Sequence, residues 1–294
     1  MNTPLLSHSP AALDALSRVE VLYTDLDGTL LGHGGSLLID GDGAPSAATA
    51  EAVVRLNDAG LTVVITTGRN RIQCAEIARL LGWRGFIAEL GCVIVPDRGA
   101  DPVYLTGDWP ADALHGGETP WEAIAQLGAP AALYEAFPGR LEPHAPYHMN
   151  REATHMLRGS LDLDAARAIL AELELPIALV DNGIIHPLST GLAADITEVH
   201  AYHLMPAGVT KAGAVRVDLA RRGLARERAA AIGDSAVDVE MADAVAVGVV
   251  VANALADARV RDAAEMRANI YATEAKRGSG WVEAAETWLR ARRR

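Results

Sequence analysis

Two carboxylates separated by one residue, Asp25 and Asp27, follow a run of β-branched and aliphatic residues that predicts a buried strand, Val19–Tyr23. One carboxylate of such a pair can act as a nucleophile or bind a metal ion, while the other transfers a proton to the leaving group. Gly28 and Thr29 come next, and Asp and Gly residues are equally typical of a turn at the end of a strand. The motif alone therefore leaves a catalytic site and a simple turn equally open.

A second acidic pair, Asp234 and Asp238, follows the predicted strand Ala229–Ile232 and stands at the start of a predicted helix. If these side chains shared a crevice with Asp25 and Asp27, their repulsion and desolvation would be destabilising unless a cation neutralised them. Carboxylate and water oxygens are the ligands that Mg²⁺ prefers in proteins. The four acidic residues together therefore predict a magnesium site.

Two further features could bind an anion. Thr67, Gly68 and Arg69 follow the predicted strand Leu61–Thr66, where a hydroxyl and free backbone N–H groups could hold a phosphate. Lys211 opens a predicted helix, where the helix dipole disfavours a positive charge, and this small cost indicates a functional ammonium. The alternatives are an ordinary strand-to-helix turn for the first feature and a solvated surface lysine for the second.

Strands and helices alternate on both sides of a long interruption, which predicts a parallel sheet covered by helices on both faces. Ligands bind at the carboxyl ends of the strands in such sheets, so the motifs above should meet at one edge. The predicted elements before the interruption include the helices Ser46–Leu56 and Arg71–Leu81 and the strand Gly85–Ala88. Those after it include the helices Lys211–Arg222, Ser235–Ala242 and Ser279–Arg292 and the strand Ala244–Val251.

The interruption contains Pro-rich and Gly-rich turns, a predicted helix at Asp164–Leu173, and strand-like runs at Ile177–Val180 and Gly183–Ile185. We therefore predict an α/β protein with a Rossmann-like, doubly wound parallel-sheet core formed by residues 19–94 and 200–294. Residues 95–199 would form an inserted α+β cap domain, and residues 1–18 an N-terminal extension.

The composition limits the classes of partner. The 294 residues are 50% hydrophobic and 22% charged, which is typical of a soluble globular protein, and the net charge is −12. So acidic a chain has no overall field for binding nucleic acid or an anionic membrane. Two cysteines and no recognisable signal peptide predict a cytoplasmic protein, which we expect to be a monomer or homodimer.

The order and spacing of the motifs resemble the haloacid dehalogenase superfamily, specifically the Cof-like phosphatases, whose α/β cap is inserted after the third core strand. The resemblance implies that Asp25 is the nucleophile and that Asp27 is the general acid/base, whose backbone carbonyl also binds Mg²⁺. It further implies that Thr67 binds the phosphate and that Lys211 neutralises it.

The same resemblance implies that Asp234 is a metal ligand and that Asp238 orients the lysine or a metal-bound water. Gly28, Thr29, Gly68 and Arg69 would support the site as neighbours of the matched residues. The sequence departs from the usual pattern of the family at Leu90 and Val237, where asparagine is common.

The activity that the resemblance implies is Mg²⁺-dependent hydrolysis of a phosphomonoester through an aspartyl-phosphate. The substrate would be a small phosphorylated metabolite, either a sugar phosphate or a phosphoglycerate-like ester. A phosphomutase that returns the phosphate to the substrate, and a sensor that binds a phosphorylated ligand without turnover, are the alternatives.

The cap domain is expected to select the substrate through side chains that donate hydrogen bonds to hydroxyl or carboxylate groups. The alternative for each of these residues is a solvated surface position. The candidate substrate contacts are Arg140, His144, His148, Arg151, Arg158 and Asn182 in the cap, His33 in the loop after the nucleophile, and Asn253 after the last long predicted strand.

Overall fold

The structure is a computed structural model, and it describes residues 3–187 and 189–293. The chain divides into two compact units. The first contains the described residues of Met1–Gly68, Cys74–Asp101 and Thr210–Arg294. The second contains Arg69–Gln73 and those of Pro102–Val209. We refer to them as the core unit and the cap unit.

The secondary structure consists of ten helices and twelve strands within the described residues. The strands are β1 (Val21–Thr24), β2 (Thr62–Thr66), β3 (Phe86–Ala88), β4 (Val93–Val95), β5 (Val103–Tyr104), β6 (Leu141–Pro143), β7 (His155–Gly159), β8 (Ile177–Ile185), β9 (Val199–Pro206), β10 (Ala229–Gly233), β11 (Val247–Val250) and β12 (Ile270–Ala272). The helices are α1 (Pro10–Ser17), α2 (Ala48–Asp58), α3 (Arg71–Leu81), α4 (Pro120–Gln126), α5 (Ala129–Ala136), α6 (Leu163–Leu170), α7 (Lys211–Arg222), α8 (Ala236–Val239), α9 (Ala258–Glu265) and α10 (Arg277–Arg292).

The core unit is built on a sheet whose strands lie in the order β12-β11-β10-β1-β2-β3-β4. All neighbouring pairs are parallel except β3 and β4, which are antiparallel. The six parallel strands follow the order of a Rossmann-like sheet, in which the winding direction changes between β1 and β10. This order confirms the predicted α/β fold and creates a crevice where these two strands end.

Large aromatic side chains of α10 pack this helix against the rest of the core unit. Trp281 and Trp288 are fully buried, and their indole N–H groups donate to Thr24 Oγ1 at 3.0 Å and to the Val19 carbonyl at 3.3 Å. Helix α10 also packs against α1 and α2. The predicted N-terminal extension therefore includes a helix that belongs to the core, with Leu16 of α1 buried.

The cap unit has its own antiparallel sheet in the order β6-β7-β9-β8, together with α4, α5 and α6. Its apolar core contains fully buried side chains from both layers, including Ile124, Leu133 and Leu204. The unit begins later than the predicted boundary because Val95 ends β4, which pairs within the core sheet. It ends later because β9 is an inner strand of the cap sheet.

Two predicted elements differ in extent. The predicted helix Ser235–Ala242 is a single α-helical turn, α8, followed by a 3₁₀ turn over Glu240–Asp243. The two predicted runs around residue 181 form one strand, β8, with a register irregularity between Asp181 and Ile184. Among the described residues, no helix has both the length and the apolar character needed to cross a bilayer.

Candidate active site

The nucleophile candidate lies at the switch point of the sheet. Asp25 directly follows β1, and its backbone N–H donates to the Ile232 carbonyl of the neighbouring strand β10 at 3.0 Å. Asp234 directly follows β10, so the parallel pairing of β1 and β10 delivers both carboxylates to the same edge. The side chain of Asp25 is buried, with the residue only 6% exposed.

Lys211 joins two of the carboxylates. Its ammonium donates to Asp25 Oδ1 at 2.9 Å and to Asp238 Oδ1 at 2.7 Å, and all three side chains are buried. Thr210 caps α7 by accepting from the Gly213 N–H at 3.0 Å, which fixes the first turn that carries the lysine. The helix therefore begins at a charge that its dipole disfavours but that two carboxylates stabilise.

Asp238 is held on both sides. While its Oδ1 accepts from Lys211, its Oδ2 accepts from the Ser235 hydroxyl at 2.6 Å and from the backbone N–H groups of Ser235 and Asp234 at 3.0 and 3.2 Å. Ser235 and Asp238 thereby form a capping box at the start of α8. Asp238 has the geometry of a residue that orients the lysine.

Burial and mutual repulsion raise the pKa values of two carboxyl groups in this cluster. Burial raises the pKa of Asp25 to about 7, against the opposing effect of Lys211 and with a further increase from Asp238. Burial, and then the charges of Asp25 and Asp238, raise the pKa of Asp234 to about 8. Although burial lowers the pKa of Lys211, the two carboxylates raise it above its ordinary value, so the ammonium stays charged.

The carboxylates fit a hard divalent cation. Asp25, Asp234 and Asp238 each offer an oxygen, and these atoms lie within 4.8 Å of one another. Because Asp238 uses both oxygens within the protein, Asp25 and Asp234 are the side chains best able to bind an ion. An all-oxygen donor set with a surplus of negative charge matches the preference of Mg²⁺.

Gly28 allows the loop after β1 to reach Asp234. The residue has a φ of +82°, and a Cβ at this position would lie 2.1 Å from Asp234 Oδ2. Asn253 spans the same contact, because its Nδ2 donates to the Gly28 carbonyl at 3.1 Å and lies 3.4 Å from Asp234 Oδ2. Only glycine fits both the conformation and the space at residue 28.

The other motif residues of the core unit lie at the same sheet edge. Asp27 is exposed beside the buried Asp25, and Thr29 is buried two residues later. Thr67 is buried directly after β2, where its backbone N–H donates to the Ile87 carbonyl at 3.0 Å and its carbonyl accepts from the Leu90 N–H at 3.1 Å. Gly68 and Arg69 are half-buried, and Arg69 belongs to the cap unit.

The cap candidates are mostly engaged within the cap unit itself. Arg140 pairs with Asp195 at 3.1 Å, and Arg158 donates to Glu142 at 2.6 Å. Arg151 is buried and donates to Thr154 Oγ1 at 2.7 Å. These partners hold the guanidinium groups in place and reduce their capacity for a substrate.

The remaining predicted substrate contacts are of different kinds. His144 is buried and packs against Tyr147 with ring centroids 5.2 Å apart, and burial together with nearby arginines lowers its pKa to about 4. His148 is half-buried, Asn182 is exposed on β8, and His33 is exposed in a 3₁₀ turn of the core unit.

The two departures from the usual family pattern have different settings. Leu90 is buried with a φ of +58°, a left-handed conformation that asparagine adopts more easily than leucine. Val237 is half-buried in α8, beside Asp238 in the chain. The usual asparagine at residue 90 therefore has a backbone explanation in addition to any contact with a ligand.

Sequence reasoning overlooked a buried chain of polar groups below the site. The Tyr23 hydroxyl donates to Asp218 Oδ2 at 2.8 Å, and Arg222 Nε donates to the same oxygen at 2.6 Å. This chain connects β1, which leads to Asp25, with α7, which begins at Lys211. Asp218 and Arg222 are spaced i, i+4 on a predicted helix, a signal that could have indicated their pairing. The Ser235-x-x-Asp238 spacing is likewise a readable capping-box signal.

Comparisons with known proteins agree with this geometry. The sequence profile of the haloacid dehalogenase-like hydrolase family matches residues 22–108 and 188–273, which is more than half of the chain. A phosphoglycolate phosphatase from Methanoculleus marisnigri is 27% identical over 274 residues, covering 92% of this chain and 97% of the relative. One from Pyrobaculum neutrophilum is 30% identical over 238 residues, covering 80% and 83%.

Solved structures share the fold. A protein from Thermoplasma acidophilum superposes with a TM-score of 0.62 at 17% identity, covering 92% of this chain and 98% of that one. The sucrose-phosphatase from Synechocystis sp. PCC6803 superposes with a TM-score of 0.60 at 15% identity and the same coverage. With the paired sheet-edge carboxylates, the buried lysine and the matching family profile, the chain belongs to the haloacid dehalogenase-like hydrolase family and is a phosphatase of its Cof-like subfamily.

Proposed function

We propose that this phosphatase is a Mg²⁺-dependent phosphomonoester hydrolase that works through an aspartyl-phosphate on Asp25. The observation that carries the proposal is the close grouping of the Asp25, Asp234 and Asp238 carboxylates, two of which, Asp25 and Asp238, accept from the ammonium of Lys211. A buried group of like charges is unfavourable unless it binds a cation, and a phosphate ester needs positive charge around it.

In the proposed first step, Asp25 attacks the phosphorus in line with the leaving alcohol. The bond from the Asp25 oxygen to phosphorus forms as the ester bond breaks, and Asp27 gives its proton to the departing oxygen. Asp27 suits this role because it is exposed, whereas Asp25 is buried and paired with lysine.

In the second step, Asp27 takes a proton from a water whose oxygen bonds to phosphorus as the bond from phosphorus to the Asp25 oxygen breaks, so that inorganic phosphate leaves and the Asp25 carboxylate is regenerated. Lys211 and the hydroxyl of Thr67 would stabilise the phosphoryl oxygens, while Asp238 keeps Lys211 aimed at the site. Asp25, Asp234 and the backbone carbonyl of Asp27 would hold Mg²⁺. When bound, the ion supplies positive charge that lets two anions approach each other.

The proposed substrate is a small phosphorylated metabolite, with a phosphoglycerate- or phosphoglycolate-like acid first and sugar phosphates second. The support is that the similar proteins from Methanoculleus marisnigri and Pyrobaculum neutrophilum are named phosphoglycolate phosphatases.

The test is phosphate release from a panel of phosphomonoesters, including 2-phosphoglycolate and sugar phosphates, with Mg²⁺ and with EDTA. We expect release only with Mg²⁺, and a fall of at least about 10⁴-fold for Asp25→Asn because the nucleophile is lost. The fold of this variant is checked by circular dichroism. Release that survives EDTA would refute the metal dependence, and a folded Asp25→Asn variant that keeps turning over would refute the nucleophile.

The same experiment separates the alternatives. A phosphomutase would interconvert phosphate esters with little net phosphate release. A phosphorylated ligand that raised the melting temperature without any turnover would favour a sensor.

A further inference from the structure

Asn253 connects three separate segments at the sheet edge. It follows β11, and its Nδ2 donates to the Gly28 carbonyl at 3.1 Å and approaches Asp234 Oδ2 at 3.4 Å. Its Oδ1 accepts from the backbone N–H of Arg277 at 2.7 Å. Both ends of the amide are therefore engaged by the protein.

Gly28 and the Asp234 carboxylate, the two groups on the Nδ2 side, lie close together. A Cβ at Gly28 would lie 2.1 Å from Asp234 Oδ2, so the loop after β1 and the Asp234 carboxylate are packed as closely as glycine allows. Asp27, whose backbone carbonyl is a proposed metal ligand, immediately precedes Gly28. A shift of either the loop or the carboxylate would change the distance between two proposed ligands.

The group on the Oδ1 side is anchored to the core. Arg277 has a φ of +48°, a conformation that costs a non-glycine residue about 1–2 kcal/mol. It opens α10, whose Trp281 is fully buried and donates to Thr24 next to the nucleophile. Asn253 therefore connects the proposed metal ligands to the first residue of α10, a helix that is packed into the core.

We propose that Asn253 is a positioning residue for the metal site, which sets the relative placement of the Asp234 carboxylate and the Gly28 carbonyl. This inference rests on the proposed function and replaces the expected contact between Asn253 and substrate. Groups that hydrogen-bond to metal ligands keep those ligands oriented, and their loss commonly weakens metal binding by about 10- to 100-fold.

The experiment compares Asn253→Leu, which keeps the size of the side chain, with Asn253→Ala, which tests the same loss without a bulky apolar group. The matched control is Asn269→Leu, because Asn269 also donates to backbone carbonyls, those of Ala242 at 2.9 Å and Val245 at 3.1 Å. Mg²⁺ affinity is measured by calorimetry without substrate, together with the rise in melting temperature caused by Mg²⁺. The values of kcat and KM are then measured at saturating Mg²⁺.

We expect both Asn253 variants to bind Mg²⁺ at least about 10-fold more weakly and to lose kcat, with KM at saturating Mg²⁺ changed by less than about threefold. The Asn269 control should lose stability without losing Mg²⁺ affinity. Unchanged Mg²⁺ affinity in either folded Asn253 variant would overturn the inference, and a raised KM in that variant would restore the substrate contact.

The failure of this inference is distinguishable from failure of the proposed function. Wild-type protein that binds no Mg²⁺ would refute the function itself. Wild-type binding that is lost in Asp234→Asn but kept in Asn253→Leu would leave the function standing and remove only the role of Asn253.

Discussion

The candidate site of the core unit and the ion pairs of the cap unit differ in how their charges are balanced. At the edge of the core sheet, Asp25, Asp234 and Asp238 lie close together, and the one ammonium among them, that of Lys211, pairs with Asp25 and Asp238, so carboxyl groups outnumber cations. In the cap unit, several charged side chains form one-to-one ion pairs. The pairs are Arg71 with Glu152, Arg158 with Glu142, and Arg140 with Asp195.

This difference indicates which charged groups need a bound cation. A balanced pair has already recovered part of its desolvation cost from its partner and has little capacity left for a ligand. An unbalanced buried cluster of carboxyl groups stays unfavourable until protons or a cation neutralise it. Excess charge, rather than the number of charged residues, is therefore our reason for proposing the core cluster as the active site.

The largest expected effect is on the side chain that balances this excess. Lys211→Met should lower kcat by about 10²- to 10³-fold or more, because the ammonium would no longer stabilise the phosphoryl oxygens or hold Asp25. The chain's other lysine, Lys276, is exposed, so Lys276→Met is the matched control and should keep its activity. Steady-state phosphate release measures both variants. Equal activity in the two variants would refute the claim that the buried ammonium of Lys211 matters more for activity than the exposed one of Lys276.

The next largest effect is expected where Gly28 approaches the Asp234 carboxylate. Gly28→Ala should lower Mg²⁺ affinity and activity by at least about 10-fold, because its Cβ would displace the Asp234 carboxylate. Gly34→Ala is the control, since Gly34 also has a positive φ of +70° but nothing within 4 Å of an added Cβ. The control should cost only about 1–2 kcal/mol of stability from the backbone strain. Thermal melts and Mg²⁺ titrations would separate strain from crowding, and full Mg²⁺ affinity in Gly28→Ala would contradict the crowding.

A pH series tests the excess charge itself. Since burial raises the pKa of Asp25 to about 7 and that of Asp234 to about 8, the metal-free folded protein holds more protons than the unfolded chain between about pH 4 and pH 8. Its stability should therefore fall as the pH rises through this range. Mg²⁺ replaces those protons, so the rise in melting temperature on adding Mg²⁺ should be larger at about pH 8.5 than at about pH 6.

Asp234→Asn provides the control for the pH series, because it removes one of the two raised carboxyl groups. Its melting temperature should depend less on pH and respond less to Mg²⁺. A Mg²⁺ effect of the same size at both pH values in the wild-type protein would contradict the protonation argument.

The smallest effects are expected in the balanced pairs of the cap. Arg158→Gln should lower stability by about 1 kcal/mol, because the Arg158 and Glu142 side chains are only 11% and 20% exposed. Arg140→Gln should have a smaller effect, since its partner Asp195 is 70% exposed and well solvated. Thermal melts compare the two variants. An equal or reversed order would break the link between burial and stability in these pairs.

The helices and the placement of the motifs were the most predictable parts of the molecule. Helices α3 and α7 begin and end at the predicted residues, because strong apolar periodicity and the stops at Gly82 and Gly223 define them locally. Helix α8 is shorter than predicted. Its first turn is stabilised by the capping box of Ser235 and Asp238, whereas the next residues follow the tighter path of a 3₁₀ turn.

The amino-acid sequence by itself determined the α/β class, the succession of strand ends that carry Asp25, Thr67 and Asp234, and the sign of the charge at that edge. These properties are local, since they depend on the type and spacing of neighbouring residues. Tertiary structure alone decided which charges are balanced. Asp238 faces Lys211, Asn253 reaches Gly28, and Arg158 meets Glu142 across distances in sequence that no local pattern encodes, because chain topology sets these contacts.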